Sequence, residues 1–322
     1  MAVKTYQLII VGGGPGGLTA GLYAARARLD TLLIDKGAAG GQVLRTDWID
    51  NYPGFPEGIS GFELADKMAA QARRFGLQPT LGEVVSMELR GETKKLYLAD
   101  DEVLKAKTVI IATGASPNKL NVPGEAELTG KGVSYCATCD GPFYRDMDVA
   151  VVGGGNTAVQ EAVYLTKFVK SVTVIHRRDE LRAAPIIQEA AFKNKRVSFI
   201  CESEVIGIEG TTEVTGVRIK HADGEEEFKP FQGVFVLVGV SPNNWMLPKE
   251  LALDNGFIIT DGIMRSNISG VMAVGDIRAD SIRQVIAAAG DGAVAEKTAE
   301  QYLEHLHQNL RIVMERKKCS PK

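Results

Sequence analysis

Leu8-Ile9-Ile10-Val11-Gly12-Gly13-Gly14-Pro15-Gly16-Gly17, near the start of the chain, is echoed at mid-length by Val149-Ala150-Val151-Val152-Gly153-Gly154-Gly155-Asn156-Thr157-Ala158. Each stretch reads as a buried strand running into a glycine turn. Such a turn lets backbone approach a pyrophosphate, whose charge then sits at the N-terminus of the following helix. Working outward, Asp35 closes the apolar run Thr31-Leu32-Leu33-Ile34, with Lys36 beside it. At the same interval past the second turn, His176 closes Val172-Thr173-Val174-Ile175 and is followed by Arg177, Arg178 and Arg182. An acid at that strand end accepts hydrogen bonds from an adenosine ribose diol, whereas arginines there hold a 2′-phosphate. The bland alternative for the arginines is a solvated strand end, but their register with Asp35 argues against it. The chain is therefore expected to bind two dinucleotides, one with the extra phosphate and one without. One such turn alone is a weak signal; two at matched spacing with opposite charge are a strong one.

Cys136-Ala137-Thr138-Cys139-Asp140 lies just upstream of the second turn. A C-x-x-C pair can close a small disulfide, and a neighbouring charge or helix N-terminus biases one sulfur toward thiolate. Structural zinc needs about four ligands. The remaining cysteines, Cys201 and Cys319, stand alone, and none of the four histidines has ligand spacing to the pair. A redox dithiol, with no metal, is the expected reading.

With 322 residues, 45% of them hydrophobic and 24% charged, the composition is that of a globular protein of two domains. The net charge of −3 gives no general attraction to nucleic acid or anionic membrane. No apolar run reaches the length of a membrane span. The apolar start feeds directly into the first glycine turn, so it is read as a strand and not as a cleaved signal. A dithiol that must cycle suits the cytoplasm.

The chain reads as a duplication with one half inserted in the other. Gly114-Ala115-Ser116-Pro117-Asn118 recurs as Gly239-Val240-Ser241-Pro242-Asn243, each after an apolar run. The expected fold is α/β, two Rossmann-like three-layer dinucleotide-binding domains. Residues 1–116 form the first, residues 117–244 form the inserted second with the C-x-x-C pair, and 312–322 is a tail. Helices are expected at 16–28, 156–167, 60–75, 284–305 and 301–318. The basic residues Arg311, Arg316, Lys317 and Lys318 read as a solvated face. The two Ser-Pro-Asn crossings read as rigid turns or as a hinge.

In these motifs and their order, the sequence resembles the low-molecular-weight, bacterial-type thioredoxin reductases. The resemblance spans nearly the whole chain: Gly12 to Gly17, Gly40-Gly41-Gln42, Asn51-Tyr52-Pro53-Gly54, Ala112-Thr113-Gly114, Cys136 to Asp140, Gly153 to Ala158, His176-Arg177-Arg178 with Arg182, Gly275-Asp276, and Arg283-Gln284. Asp50 stands before Asn51 where the family often has Glu, and the stretch 311–322 matches no motif. By residues alone the first turn fits NAD as well as FAD. The resemblance implies noncovalent FAD there, held by Gly12, Gly13, Gly14, Pro15, Gly16, Asp35, Lys36, Gly41, Gln42, Asn51, Ala112, Thr113, Gly114, Gly275, Asp276, Arg283 and Gln284. It implies NADPH on Gly155, Asn156, Thr157, His176, Arg177, Arg178 and Arg182. It also implies that residues 245–311 complete the first domain, and that the protein is a homodimer that reduces thioredoxin or a thioredoxin-like protein. Cys139 then faces the flavin, Cys136 attacks the substrate disulfide, and Asp140 donates and accepts the proton; Asp140 as a helix cap is the alternative. A ferredoxin–NADP reductase would lack the C-x-x-C, an oxygen-using dithiol oxidase tends to lose the arginines, and a flavin-binding redox sensor would not need the complete electron path.

Overall fold

The computed structural model describes residues 4–46 and 48–318, and of Arg45 and residues 309–318 the backbone only. In chain order the elements are β1 Thr5–Val11, α1 Pro15–Arg26, β2 Thr31–Asp35, α2 Gly61–Arg74, β3 Pro79–Leu81, β4 Val84–Glu88, β5 Lys94–Leu98, β6 Val103–Ile111 and β7 Ala115–Pro117. There follow β8 Val133–Ser134, α3 Ala137–Asp140, β9 Asp148–Val152, α4 Asn156–Leu165, β10 Ser171–Ile175, α5 Pro185–Phe192 and β11 Val197–Ile200. The chain continues through β12 Ser203–Gly210, β13 Val214–His221, β14 Glu226–Pro230, β15 Gly233–Val236 and β16 Val240–Pro242, then β17 Leu253–Asp254, β18 Phe257–Ile258, β19 Val271–Ala273 and α6 Val285–Lys318.

These elements form two compact units, residues 1–116 with 242–322, and residues 117–241. Asn243 and Asn244 belong to the first unit because their hydrogen bonds are made there. Asn243 N–H donates to Gly114 O (3.0 Å) and its Nδ2 to Thr113 O (2.8 Å), while Asn244 Nδ2 donates to Gly256 O (2.9 Å).

In the first unit the parallel strands lie in the order β3-β2-β1-β6-β19. The long strand β6 shares one edge between two partners: Val103–Ala106 pair antiparallel with β5, and Val109–Ile111 pair parallel with β19. Alternation along β1 sorts its side chains. Leu8 and Ile10 face Leu18, Ala20 and Ala24 of α1, Ala69 and Ala72 of α2, and Ala295 and Ala299 of α6. Ile9 and Val11 face a layer with Met87 of β4 and Leu96 and Leu98 of β5. Both faces are covered, which is why β1 reads as an unbroken apolar run.

The second unit repeats the plan, with parallel order β11-β10-β9-β15-β8. Val149 and Val151 face Ala158, Ala162 and Leu165 of α4. Ala150 and Val152 face the antiparallel ribbon β12-β13-β14 through Val205, Val217 and Ile219. The fifth strand is β19 in one unit and β8 in the other, so Gly275-Asp276 and the C-x-x-C segment follow corresponding strands. Helix boundaries sit close to expectation, except that the segments expected at 284–305 and 301–318 are one continuous helix, α6. Of the expected tail 312–322, residues up to Lys318 continue that helix. Residues 319–322, Cys319 among them, and the side chains of Arg311, Arg316, Lys317 and Lys318 lie outside the described residues.

Candidate active site

In the first unit, Gly12 N–H donates to Ile34 O (2.8 Å), which brings the glycine turn against the end of β2. Gly12 has φ +110°, and a Cβ there would collide with the carbonyl of Ala112, so only glycine fits. Asp35 Oδ2 accepts from Gly13 N–H (2.5 Å) and its Oδ1 from Gly37 N–H (2.8 Å). Two such bonds leave about half of a carboxylate's acceptor positions for a diol. The N-terminus of α1, at Gly14, has no side-chain cap, which leaves its N–H groups for an anion. Gly40 N–H donates to Gly13 O (2.7 Å), tying Gly41 and Gln42 to the turn, and Gln42 Nε2 reaches Ala115 O and Ser116 Oγ (3.3 Å each). Thr113 Oγ1 is buried without a hydrogen-bond partner among the described residues. An orphaned hydroxyl beside a glycine cradle and an uncapped helix fits a polar ligand.

A second set of residues in this unit is joined to the turn through α6, since Gly16 and Gly275 both pack against Ala288. Asp276 Oδ1 accepts from Ser281 Oγ (3.2 Å). Burial pushes the Asp276 carboxyl upward, with Asp291 adding to this and Ser281 and Arg283 opposing it. Asn51 Nδ2 donates to Gln284 Oε1 (3.0 Å), and the Arg283 guanidinium lies over the Phe257 ring (5.2 Å). Lys36 does not join either set through a hydrogen bond to them among the described residues; its ammonium stacks on Trp245 (4.2 Å).

In the second unit, Gly153 N–H donates to Ile175 O (3.0 Å), the counterpart of Gly12 to Ile34. The imidazole of His176 lies against Gly154, where any Cβ would collide with the ring. His176 is buried and its Nε2 has no partner among the described residues. Burial, with the charges of Arg182, Arg178 and Arg177, holds its pKa below the usual histidine range, opposed by the Glu180 backbone. Arg182 N–H donates to Gly154 O (2.7 Å) and Ala184 N–H to Asn156 Oδ1 (2.7 Å), so the arginine segment folds back across the turn. Arg177, Arg178 and Arg182 are exposed, and none makes an ion pair among the described residues. The N-terminus of α4, at Gly155 before Asn156 and Thr157, has no side-chain cap. An open helix terminus and three unpaired guanidinium groups fit a phosphorylated dinucleotide.

Cys136 and Cys139 form a disulfide, with Cα atoms 5.3 Å apart. Cys136 is the N-cap of α3, and its Sγ accepts from Cys139 N–H (3.2 Å). Asp140 Oδ2 accepts from Ser134 Oγ–H (2.5 Å), and Ser134 Oγ also accepts from Cys136 N–H (3.1 Å). Glu161 Oε2 on α4 accepts from Ala137 N–H (3.0 Å). Cys201 is a free, partly buried thiol, raised by burial and by Glu202 and Asp179. Among the described residues no group of three or more His, Cys, Asp or Glu could hold a metal ion, and no helix is long and apolar enough to cross a membrane. Sequence reasoning missed Ser134, Ser281, Asp291 and Glu161. The only signal for Asp291 was a charge set among small residues in Ala287–Gly292, and for Glu161 a charge among the alanines of α4.

The pyridine nucleotide-disulphide oxidoreductase family profile matches residues 6–292. The thioredoxin reductase of Listeria monocytogenes is 45% identical over 310 residues, covering 95% of this chain and 97% of that protein. The chain belongs to the thioredoxin reductases of this family. The thioredoxin reductase of Peptoclostridium acidaminophilum is 46% identical over 309 residues, with 94% of this chain and 98% of that protein covered. Among solved structures, the thioredoxin reductase from Streptococcus pyogenes aligns with TM-score 0.90 and 46% identity over 94% of this chain and all of that one. The chain is thus an enzyme, an oxidoreductase whose family implies a flavin and a pyridine nucleotide.

Proposed function

We propose that the enzyme passes electrons from NADPH, through noncovalently bound FAD, to the Cys136–Cys139 disulfide and on to the disulfide of a thioredoxin. The observation that carries this reading is the seating of the disulfide in the same unit as the arginine-lined glycine turn, while the other unit offers a carboxylate at the matching position. FAD, when bound, supplies a two-electron carrier between nicotinamide and disulfide. Asp35 would hold its adenosine ribose, the uncapped N-terminus of α1 its pyrophosphate, and Thr113, Asp276 and Gln284 its remaining polar edge.

Arg177, Arg178 and Arg182 would hold the 2′-phosphate of NADPH. With the pair reduced, the Cys136 thiolate attacks a thioredoxin sulfur, forming a mixed disulfide and expelling the other sulfur as thiolate. Cys139 then attacks Cys136, restoring the internal disulfide and releasing the second thioredoxin sulfur. Asp140, bonded to Ser134, moves the proton at Oδ2. The Cys139 N–H directed at Cys136 Sγ supports Cys136 as the stabilised thiolate. Because nucleotide turn and disulfide share one unit, we assign the Ser-Pro-Asn crossings as a hinge that presents them to the flavin in turn. The net charge of −3 gives no general attraction to nucleic acid. A homodimer working in the cytoplasm completes the reading.

The test is anaerobic. NADPH is expected to bleach the flavin and then support catalytic reduction of added thioredoxin. Cys136→Ser is expected to stop the second step and spare the first; thioredoxin turnover that survives in this variant overturns Cys136 as the nucleophile and the dithiol relay with it, since Cys139 alone cannot restore an internal disulfide. Failure of NADPH to bleach the flavin would remove the whole reading.

A further inference from the structure

The redox pair is keyed onto α4, the helix that starts at the second glycine turn. Ala137 is fully buried against Ala158, Ala162 and Leu165, and Gly141 admits the Leu165 side chain where a Cβ would stand 2.9 Å from it. On this seat the Ala137 N–H, inside the C-x-x-C segment, points at the Glu161 carboxyl (3.0 Å). We propose that Glu161 is a positioning residue for the redox pair: by holding the Ala137 N–H and placing a carboxylate beside the Cys136–Ala137 peptide, it favours disulfide over dithiol and lowers the reduction potential of the couple.

Reduction breaks the S–S bond, places one of two electrons on each sulfur and takes up two protons, or one where a sulfur stays as thiolate. A thiolate at the N-cap of α3 is stabilised by backbone N–H groups directed at its sulfur. Cys139 N–H is directed at Cys136 Sγ, but Ala137 N–H is already taken by Glu161, and a carboxylate on that bond repels a thiolate. Both effects weigh against the reduced form and none against the disulfide. Burial pushes the Glu161 carboxyl upward and the Ala137 N–H opposes it. A lower potential makes the reduced pair a stronger donor to a partner disulfide. α4 brings this carboxylate to the Cys136–Ala137 peptide from a distance in the chain.

The inference rests on the proposed redox role of the pair, and the experiment separates the two. Holoenzyme, Glu161→Gln and Glu161→Leu are equilibrated in dithiothreitol buffers of graded potential at pH 8, quenched with an alkylating agent, and the fraction of reduced Cys136–Cys139 is read by mass. Both variants are expected to shift toward dithiol, the Gln form about tenfold in equilibrium constant, which for a two-electron couple is about 30 mV upward. The Gln form, isosteric and still able to accept the Ala137 N–H, guards against misfolding. Its reduced pair is also expected to alkylate with a lower apparent thiol pKa. A Gln variant within twofold of the parent, or a shift in the Leu form alone, overturns the inference. A parent whose pair does not interconvert in any buffer overturns the redox role itself.

Discussion

Asp291 offers the most direct test of how the first unit holds the flavin site proposed for it. Its Oδ2 accepts from Arg278 Nη1 (2.7 Å) and from Gly275 N–H (3.0 Å), and the two side chains are only 12% and 15% exposed. Arg278 Nε donates in turn to Thr260 Oγ1 (2.8 Å). Three segments are thereby pinned around the 3-10 turn Gly275–Ile277, which carries Asp276. Asp291→Ala strands a buried guanidinium, at a cost of about 3–5 kcal/mol, and leaves Gly275 N–H unpaired, about 1–3 kcal/mol more. Arg278→Met leaves Gly275 bonded but its carboxylate partner unneutralised, a loss at the lower end of that range. Removing both partners leaves no stranded charge, so the double variant is expected to be about 2 kcal/mol better than the sum of the singles.

The assay is a double-mutant cycle read in two ways: the denaturant midpoint of the first unit, and the flavin dissociation constant from fluorescence. Loosening the Asp276 turn is expected to weaken flavin binding in Asp291→Ala by tenfold or more, about 1.4 kcal/mol. Additive single effects, within about 0.5 kcal/mol, together with unchanged flavin affinity would refute the reasoning. The pair would then be an ordinary surface contact that happens to be shielded.

Other consequences follow from the same physical picture. Arg177→Ala combined with Arg178→Ala is expected to raise KM for NADPH by about ten- to a hundredfold while kcat at saturation and all NADH kinetics stay near the parent; equal losses with both nucleotides would show that the guanidinium groups do not read the 2′-phosphate. Glu296 is buried with Oε1 unpartnered among the described residues, and burial first, then Glu300, raises its pKa from the usual carboxylate value to about 7. A folded-state pKa above the unfolded value means that its contribution is full below about pH 4.5 and is lost as pH climbs through 7. Glu296→Gln is accordingly expected to raise stability at pH 8 by up to about 3 kcal/mol and to leave it nearly unchanged at pH 4.5, in denaturant melts at the two pH values. A gain of the same size at both would count against a titrating carboxyl.

Much of this protein was legible in its sequence because the relevant signals are local. A glycine turn after an apolar strand, an acid or an arginine cluster at the next strand end, and two cysteines three positions apart each state their geometry within a few residues. Their repetition announced the duplication. The structure adds that Asp35 and His176 occupy the matched places, one bonded to Gly13 and the other laid against Gly154.

Tertiary structure alone decided what depends on residues far apart in the chain. That β8 and β19 are equivalent fifth strands, and that antiparallel strands cover one face of each parallel sheet, could not be read from apolar runs, since a run buried on both faces looks the same whatever covers it. Asp291 and Glu161 look like solvated charges in a helical sequence until folding turns them toward Gly275 N–H and Ala137 N–H. Hydrophobic pattern records which face of an element is buried, whereas the partner of a buried polar group is fixed only when distant backbone arrives with an N–H that water can no longer satisfy.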